Sequence, residues 1–275
     1  MSIDSWLFSV AALVAYGGAT VAMVRSLQRD YLSDRGSRAA VRPALWLGGV
    51  AVILQALGIL ADLDNSGFIS PGFLRVSAFA TLLVAAVLLL TALVRPIEKL
   101  GILVFPLCAL TLALQLGFSG DAPAPKLYSW PMKLHIVASM LAYAFLNIAA
   151  VQAILLALQE WRLRSHHMSR LSRSLPPLQT MESLLFQLIA AGFALLSVSL
   201  VTGFVFLENL FAQHLAHKTV LSLIAWLVFG VLLWGRIIHG WRGQTAIRWT
   251  LGGFIALMLG YFGSKMVLEL ILHRV

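Results

Sequence analysis

Apolar residues in this chain do not alternate with polar ones. They run on in long blocks, and charge is confined to the gaps between them. Eight blocks reach the roughly 18 residues that a helix needs to cross a ~30 Å hydrocarbon layer. They lie at about 5–25, 44–63, 73–95, 98–117, 133–160, 184–207, 219–236 and 249–272. The third and fourth are parted only by Arg95-Pro96-Ile97-Glu98-Lys99, where a proline and three charges interrupt an otherwise continuous run. The strand alternation of a membrane β-barrel is missing, as is any internal repeat. The pattern predicts an all-α polytopic membrane bundle of about eight transmembrane helices, one integral membrane domain over residues 1–275. The first run, Trp6 to Val24, has no Lys or Arg before it and no small-residue exit, and reads as a retained span rather than a cleaved signal.

Composition narrows the classes further. With 60% apolar and 11% charged residues, the chain lacks the polar surface of a soluble globule, in which about 25% of residues are charged. Its one cysteine, Cys108, excludes an internal disulfide, an iron–sulfur cluster and a covalent Cys-x-x-Cys-His haem attachment. The 20 Lys and Arg against 11 Asp and Glu raise nucleic acid as a partner, but the positions of the charges argue for topology instead. Fourteen of the 20 flank the connections after runs 1, 3, 5 and 7. The positive-inside bias therefore predicts that these connections are cytoplasmic and both termini outer. Tryptophans at 6, 46, 130, 161, 241 and 249 fall near run ends, the depth amphipathic rings prefer. Segment 161–180, with four arginines and His166-His167, reads as an ordinary cytoplasmic loop or as a site for a partner or anionic lipid.

The candidate chemistry rests on histidines. His166, His167 and His239 fall on the predicted cytoplasmic side, and His135, His214, His217 and His273 on the outer side. In the fifth run His135, Ser139, Tyr143 and Asn147 recur every four residues as a polar stripe. In the eighth, Tyr261, Lys265, Glu269 and His273 do the same, with Lys265 and Glu269 spaced as an i, i+4 ion pair. Polar groups are costly in hydrocarbon, so such stripes are expected to face the bundle interior. Two neutral imidazoles from different helices suit bis-histidine haem ligation. A zinc or copper site using the His214/His217 pair is the alternative. There is no Walker A, Gly-x-Ser-x-Gly or His-Glu-x-x-His motif, and no nucleophile–base pair, so an enzyme is not expected.

Five stretches carry a family resemblance: Lys133-Leu-His135 through Leu141-Ala-Tyr143; Met181-Glu-Ser-Leu-Leu185; Gly192-Phe193 to Thr202-Gly203; His217-Lys-Thr219 with Trp226; and Gly240-Trp-Arg-Gly243 leading to Tyr261-Phe-Gly263. In these the chain resembles the cytochrome c assembly superfamily, the haem-handling membrane proteins of CcsA/CcmC/HemX type, and most of all its eight-span YpjD-type branch. The resemblance covers roughly residues 130–275. It implies a variable N-terminal part, 1–130 (spans 1–4), and an assembly-like core, 131–275 (spans 5–8).

The resemblance also implies that His135 is an outer haem ligand and that His273 stands near the second. His217 would be a replacement ligand or propionate contact, with Tyr143, Trp226 and Lys265 in supporting positions. Two departures stand out. The tryptophan-rich outer loop of the haem-loading relatives is replaced here by Glu208 to Lys218, which has no tryptophan. The membrane-embedded histidine those relatives carry corresponds to Trp234.

The functional expectation is a non-enzymatic bacterial inner-membrane protein that handles haem b at its outer face. Its expected partners are membrane lipid and cytochrome c maturation or other membrane proteins, not nucleic acid. One rival is a HemX-like scaffold or regulator without functional haem. The other is a small-solute or metal-ion transporter using Lys265 and Glu269.

Overall fold

An unpaired backbone amide or carbonyl in hydrocarbon costs several kcal/mol, so each apolar run must satisfy its own peptide groups and does so as a helix. The structure, a computed structural model, describes residues 3–33, 38–66, 73–95, 97–118, 129–164, 177–206 and 213–260. Among these residues the secondary structure is entirely helical. The elements are α1 (Ile3–Ser33), α2 (Arg38–Ser66), α3 (Phe73–Val94), a 3₁₀ turn (Glu98–Leu100), α4 (Gly101–Phe118), α5 (Trp130–Arg164), α6 (Leu178–Phe206), α7 (Gln213–His239) and α8 (Gly243–Met258). The first seven helices are long and apolar enough to cross a membrane. The chain is an all-α, multi-pass membrane bundle. The predicted eighth run begins within α8, and its continuation from Tyr261 lies outside the described residues.

Most helices extend beyond the apolar runs that signal them. Helix α5 has 35 residues, about 52 Å at 1.5 Å per residue, which exceeds the ~30 Å hydrocarbon layer. Its end tryptophans, Trp130 and Trp161, are exposed. Pro43 and Pro106 lie inside α2 and α4, but each is only the sixth residue of its helix. A proline there leaves one carbonyl, that of Ala39 or Ile102, without its i+4 donor, and the helix continues past it. The interruption at Arg95-Pro96 takes the expected form. Helix α3 stops at Val94, and Leu100 N–H donates to the Ile97 carbonyl at 3.0 Å in the 3₁₀ turn that starts the next span.

The chain falls into two compact units: Met1–Leu127 with Trp161–Pro177, and Tyr128–Glu160 with Leu178–Val275. In the first unit α1 packs along α2 and against α4, and α3 packs on α4 and α2. The fully buried Phe105 ring of α4 is the centre of that packing. A Cβ built on Gly48 of α2 would stand only 2.6 Å from it, so hydrogen at that position is what lets the two helices close. Across the same core Tyr16 donates to Gln55 Oε1 (2.9 Å), and Gln55 Nε2 donates to the Ala78 carbonyl (2.9 Å). Cys108 Sγ–H donates to the Thr81 carbonyl (3.4 Å), and the Thr81 and Thr111 hydroxyls are 2.9 Å apart.

In the second unit α6 packs on α7 and α7 on α8. Helix α5 meets α6 where a Cβ on Gly192 would stand 2.7 Å from Leu146 Cγ. Helix α8 meets α7 where a Cβ on Gly253 would stand 2.9 Å from the Phe229 ring. Because successive helices run antiparallel, the start of α5, the end of α6 and the start of α7 share one end of this unit. Gly260 belongs to the same end, since a Cβ there would meet Leu221 Cβ at 3.1 Å and the Lys218 carbonyl at 3.6 Å.

Candidate functional site

The end of the second unit that carries His135 is held by a chain of side-chain hydrogen bonds between α5 and α6. His135 Nδ1 lies 2.9 Å from the Ser199 carbonyl oxygen and 3.3 Å from Thr202 Oγ1. A carbonyl oxygen only accepts, so Nδ1 must carry the proton. The Thr202 hydroxyl lies 2.8 Å from the Val198 carbonyl and 2.9 Å from that of Ser199. It spends its one proton on these and is left as an acceptor for Nδ1–H. One turn deeper, Ser139 Oγ donates to the His135 carbonyl (2.6 Å). Ser139 Oγ also lies 2.6 Å from Ser199 Oγ, and since its own proton is used, Ser199 is the donor.

The tautomer of His135 is thereby set. Its proton sits on Nδ1, and Nε2 keeps a lone pair with no hydrogen-bond partner among the described residues. An imidazole that donates Nδ1–H to a backbone carbonyl while presenting a bare Nε2 is the usual state of a metal-ligating histidine.

Of the remaining members of the α5 stripe, Tyr143 faces protein. Tyr143 is buried, donates to the Met258 thioether of α8, and has its ring 6.0 Å from that of Phe254. Asn147 is half-buried. Eight residues separate Tyr143 from His135, about 12 Å along the helix, so the two stand at different depths. Trp226 of α7 is committed elsewhere. Its Nε1–H donates to Ser197 Oγ (2.8 Å), and its ring stacks on Phe193 at 5.6 Å, which ties α7 to α6.

The His217 backbone is in the first turns of α7, at the same end of the unit as His135, and its side chain is outside the described set, as is that of His214. Lys265, Glu269 and His273, with the eighth-run stripe they form, lie outside the described residues. Among the described residues no three His, Cys, Asp or Glu side chains gather as a metal cluster.

The opposite end of the unit holds a second cluster, in which Glu160, Glu182 and Gln244 take roles that their places in the sequence do not signal. The Gly243 amide donates to Glu182 Oε1 of α6 (2.7 Å), and Gln244 Nε2 donates to Glu160 Oε2 of α5 (2.7 Å). Two carboxylates from two helices thus hold the start of α8, where the first amides lack intrahelical acceptors. Gly240 (φ 64°) and Gly243 (φ 53°) both adopt the left-handed region, which only glycine enters freely. The reversed chain lays the Trp241 ring over Gly235, where a Cβ would come within 2.4 Å of it. The Arg236 guanidinium donates to the Trp241 carbonyl (3.1 Å) and lies 4.7 Å from the centre of the Phe186 ring.

Ser199 and Thr202 were legible as an i, i+3 polar pair late in the sixth run. Nothing in a linear reading says that one would bind His135 through its backbone carbonyl.

A family model described as cytochrome C assembly protein matches residues 43–272. The chain belongs to the cytochrome c assembly protein family. The inner membrane protein YpjD of Escherichia coli strain K12 is 32% identical over 270 residues, 96% of this chain and 99% of its own length. An uncharacterised 28.8 kDa protein of Azospirillum brasilense is 32% identical over 236 residues, 83% of this chain and 85% of its own. The cytochrome c biogenesis protein CcsA of Guillardia theta is 28% identical over 193 residues, 64% of this chain and 62% of its own. No solved structure matches the chain.

Proposed function

We propose that this multi-pass inner-membrane protein binds haem b non-covalently at its outer face and holds it for cytochrome c assembly, without catalysing a reaction of its own. The carrying observation is the His135 tautomer. Nδ1–H is tied to the Ser199 carbonyl and Thr202 Oγ1, and the Nε2 lone pair is open. Membership of the cytochrome c assembly family and the likeness to CcsA support a haem-handling context.

The residues present fit the group. A neutral imidazole with a defined tautomer on a half-buried apolar helix is the donor an axial position requires. His135, with His217 or His273, would hold the group, and haem bound there would supply a redox-active iron. The Ser199 carbonyl and Thr202 Oγ1 keep the His135 ring from rotating, and the carbonyl raises the basicity of Nε2 by accepting from Nδ1–H.

Orientation supports the same reading. Helix α5 runs from His135 at one end of the unit to Glu160 at the other, where Arg236, Arg242 and Arg248 gather. The positive-inside bias puts that basic end in the cytoplasm, so the His135 end faces outward. Cytochrome c maturation proteins and the surrounding lipid are the partners this reading assigns to that face.

The optical spectrum of the full chain tests the proposal, both as purified from haem-replete membranes and after addition of hemin. The wild type is expected to give a low-spin bis-histidine spectrum. His135→Ala is expected to lose most haem occupancy and to recover part of it when imidazole is added. His239→Ala, at the other end of the unit, should match the wild type. A wild-type protein that stays colourless and takes up no hemin would overturn the proposal in favour of a scaffold without functional haem.

A further inference from the structure

The turn between α7 and α8 carries an unusual division of charge. The carboxylates that reach this turn from neighbouring helices, Glu160 of α5 and Glu182 of α6, accept from the Gln244 amide and the Gly243 N–H. The Arg236 guanidinium is directed inward, onto the Trp241 carbonyl and the Phe186 ring. Arg242 and Arg248 are exposed and make no ion pair or hydrogen bond among the described residues. Both lie in sequence between the last two rings of a local aromatic chain. Arg242 is next to Trp241 in sequence and Arg248 next to Trp249, and those two indoles lie 5.4 Å apart. The His239 ring joins them, 6.2 Å from Trp241 and edge-on to Trp234 at 6.5 Å.

The candidate span ends at His239. Just before it, Trp234 (63%), Ile237 (79%) and Ile238 (62%) are exposed. On a membrane-crossing helix such residues meet lipid rather than water. The unpaired guanidiniums therefore stand at headgroup depth, beside apolar side chains that meet acyl chains and indoles that favour the interface. A protein partner would need to replace that lipid contact, whereas a phospholipid supplies both halves: tails for Ile237 and Ile238 and an anionic phosphate for the arginines.

We infer that the α7–α8 turn is a binding site for an anionic phospholipid headgroup, with Arg242 and Arg248 as its cationic contacts and the Trp234–His239–Trp241–Trp249 rings as its interfacial wall. This site lies at the opposite end of the unit from His135 and shares no residue with the haem site.

Native mass spectrometry of the full chain, after exchange into nanodiscs of phosphatidylcholine containing one part in five phosphatidylglycerol, tests it. The wild type is expected to retain phosphatidylglycerol in preference to phosphatidylcholine. Each of Arg242→Gln and Arg248→Gln is expected to weaken that preference roughly fivefold. The pair Arg242→Lys/Arg248→Lys should keep most of it, because an ammonium still pairs with phosphate. Arg236→Gln is expected to lower thermal stability while leaving the lipid preference unchanged, since that guanidinium is spent inside the turn. Equal retention of both lipids by the wild type, or an unchanged preference in Arg242→Gln/Arg248→Gln, would overturn the site. Should the double glutamine variant not fold, the single variants decide on the same criterion.

Discussion

Both compact units bury hydrogen-bonded side chains in an apolar bundle, but they close their networks differently. In the first, Tyr16 donates to Gln55 and Gln55 donates to the Ala78 carbonyl, with Cys108 and Thr81 making the neighbouring link. Tyr16, Gln55 and Cys108 are almost wholly buried. Every member points at another helix, so the network acts as internal glue for α1 to α4. In the second, the bonds around His135 run through Ser139, Ser199 and Thr202 and stop at a bare Nε2. A closed network specifies how helices meet. A network that ends in an open lone pair, fixed in direction by everything behind it, leaves an acceptor free for the proposed ligand.

That contrast breaks most visibly where a closed network loses one member. Gln55→Leu strands the Tyr16 hydroxyl in an apolar core and is expected to cost about 1–3 kcal/mol. SDS-induced unfolding of the purified chain in mixed micelles reads that loss. Adding Tyr16→Phe should recover most of it, because both partners are then apolar, and hemin uptake should stay at wild-type level throughout. A double variant less stable than Gln55→Leu would mean that the hydroxyl serves some purpose beyond its bond to Gln55.

The carboxylate end of the second unit asks whether closure, rather than the identity of the unit, is what matters. Glu182→Ala removes the acceptor of the Gly243 amide at the start of α8 and is expected to cost about 1 kcal/mol, as loss of a cap does. Glu182→Gln should restore part of this, since an amide oxygen still accepts but the charge at the helix N-terminus is gone. The same unfolding titration measures both, and equal stability of all three proteins would remove the cap from the account.

The smallest stability effect is expected at the open network. Thr202→Val loses one interhelical contact, worth about 0.6 kcal/mol on average in membranes, yet it leaves the Ser199 carbonyl as the sole acceptor of His135 Nδ1–H. In hemin-loaded protein the reduction potential should rise, because a less electron-rich imidazole stabilises the ferric state less. Thr81→Val in the first unit should cost a similar small amount and leave the potential where it was. Identical potentials for all three proteins would separate Thr202 from the ligand.

Much of this was legible in linear form, for physical reasons. Hydrocarbon forces the backbone to satisfy itself, so the apolar runs could only be helices. A change such as that at Arg95-Pro96 could only be a break, and both hold among the described residues. The period-four placing of His135, Ser139 and Tyr143 likewise assigned them one helix face. Helix lengths were less accessible, because polar turns beyond the hydrocarbon carry no hydropathy signal, and α5 and α6 reach past the run boundaries for that reason.

The sequence by itself determined the class of the protein, the order of its spans and the asymmetry of charge from which its orientation follows. All three depend on local chemistry integrated over about twenty residues. Only the tertiary structure decided which polar groups meet. It made Trp226 a tie between α7 and α6 rather than a free ring. It turned Glu160 and Glu182 towards the start of α8 and left Arg242 and Arg248 without partners among the described residues. It also supplied His135 with a backbone carbonyl as its acceptor. Every residue has a carbonyl, so none is marked by its letter in the sequence. Which one faces an imidazole depends on how two helices, separated by some sixty residues, rotate and slide against each other.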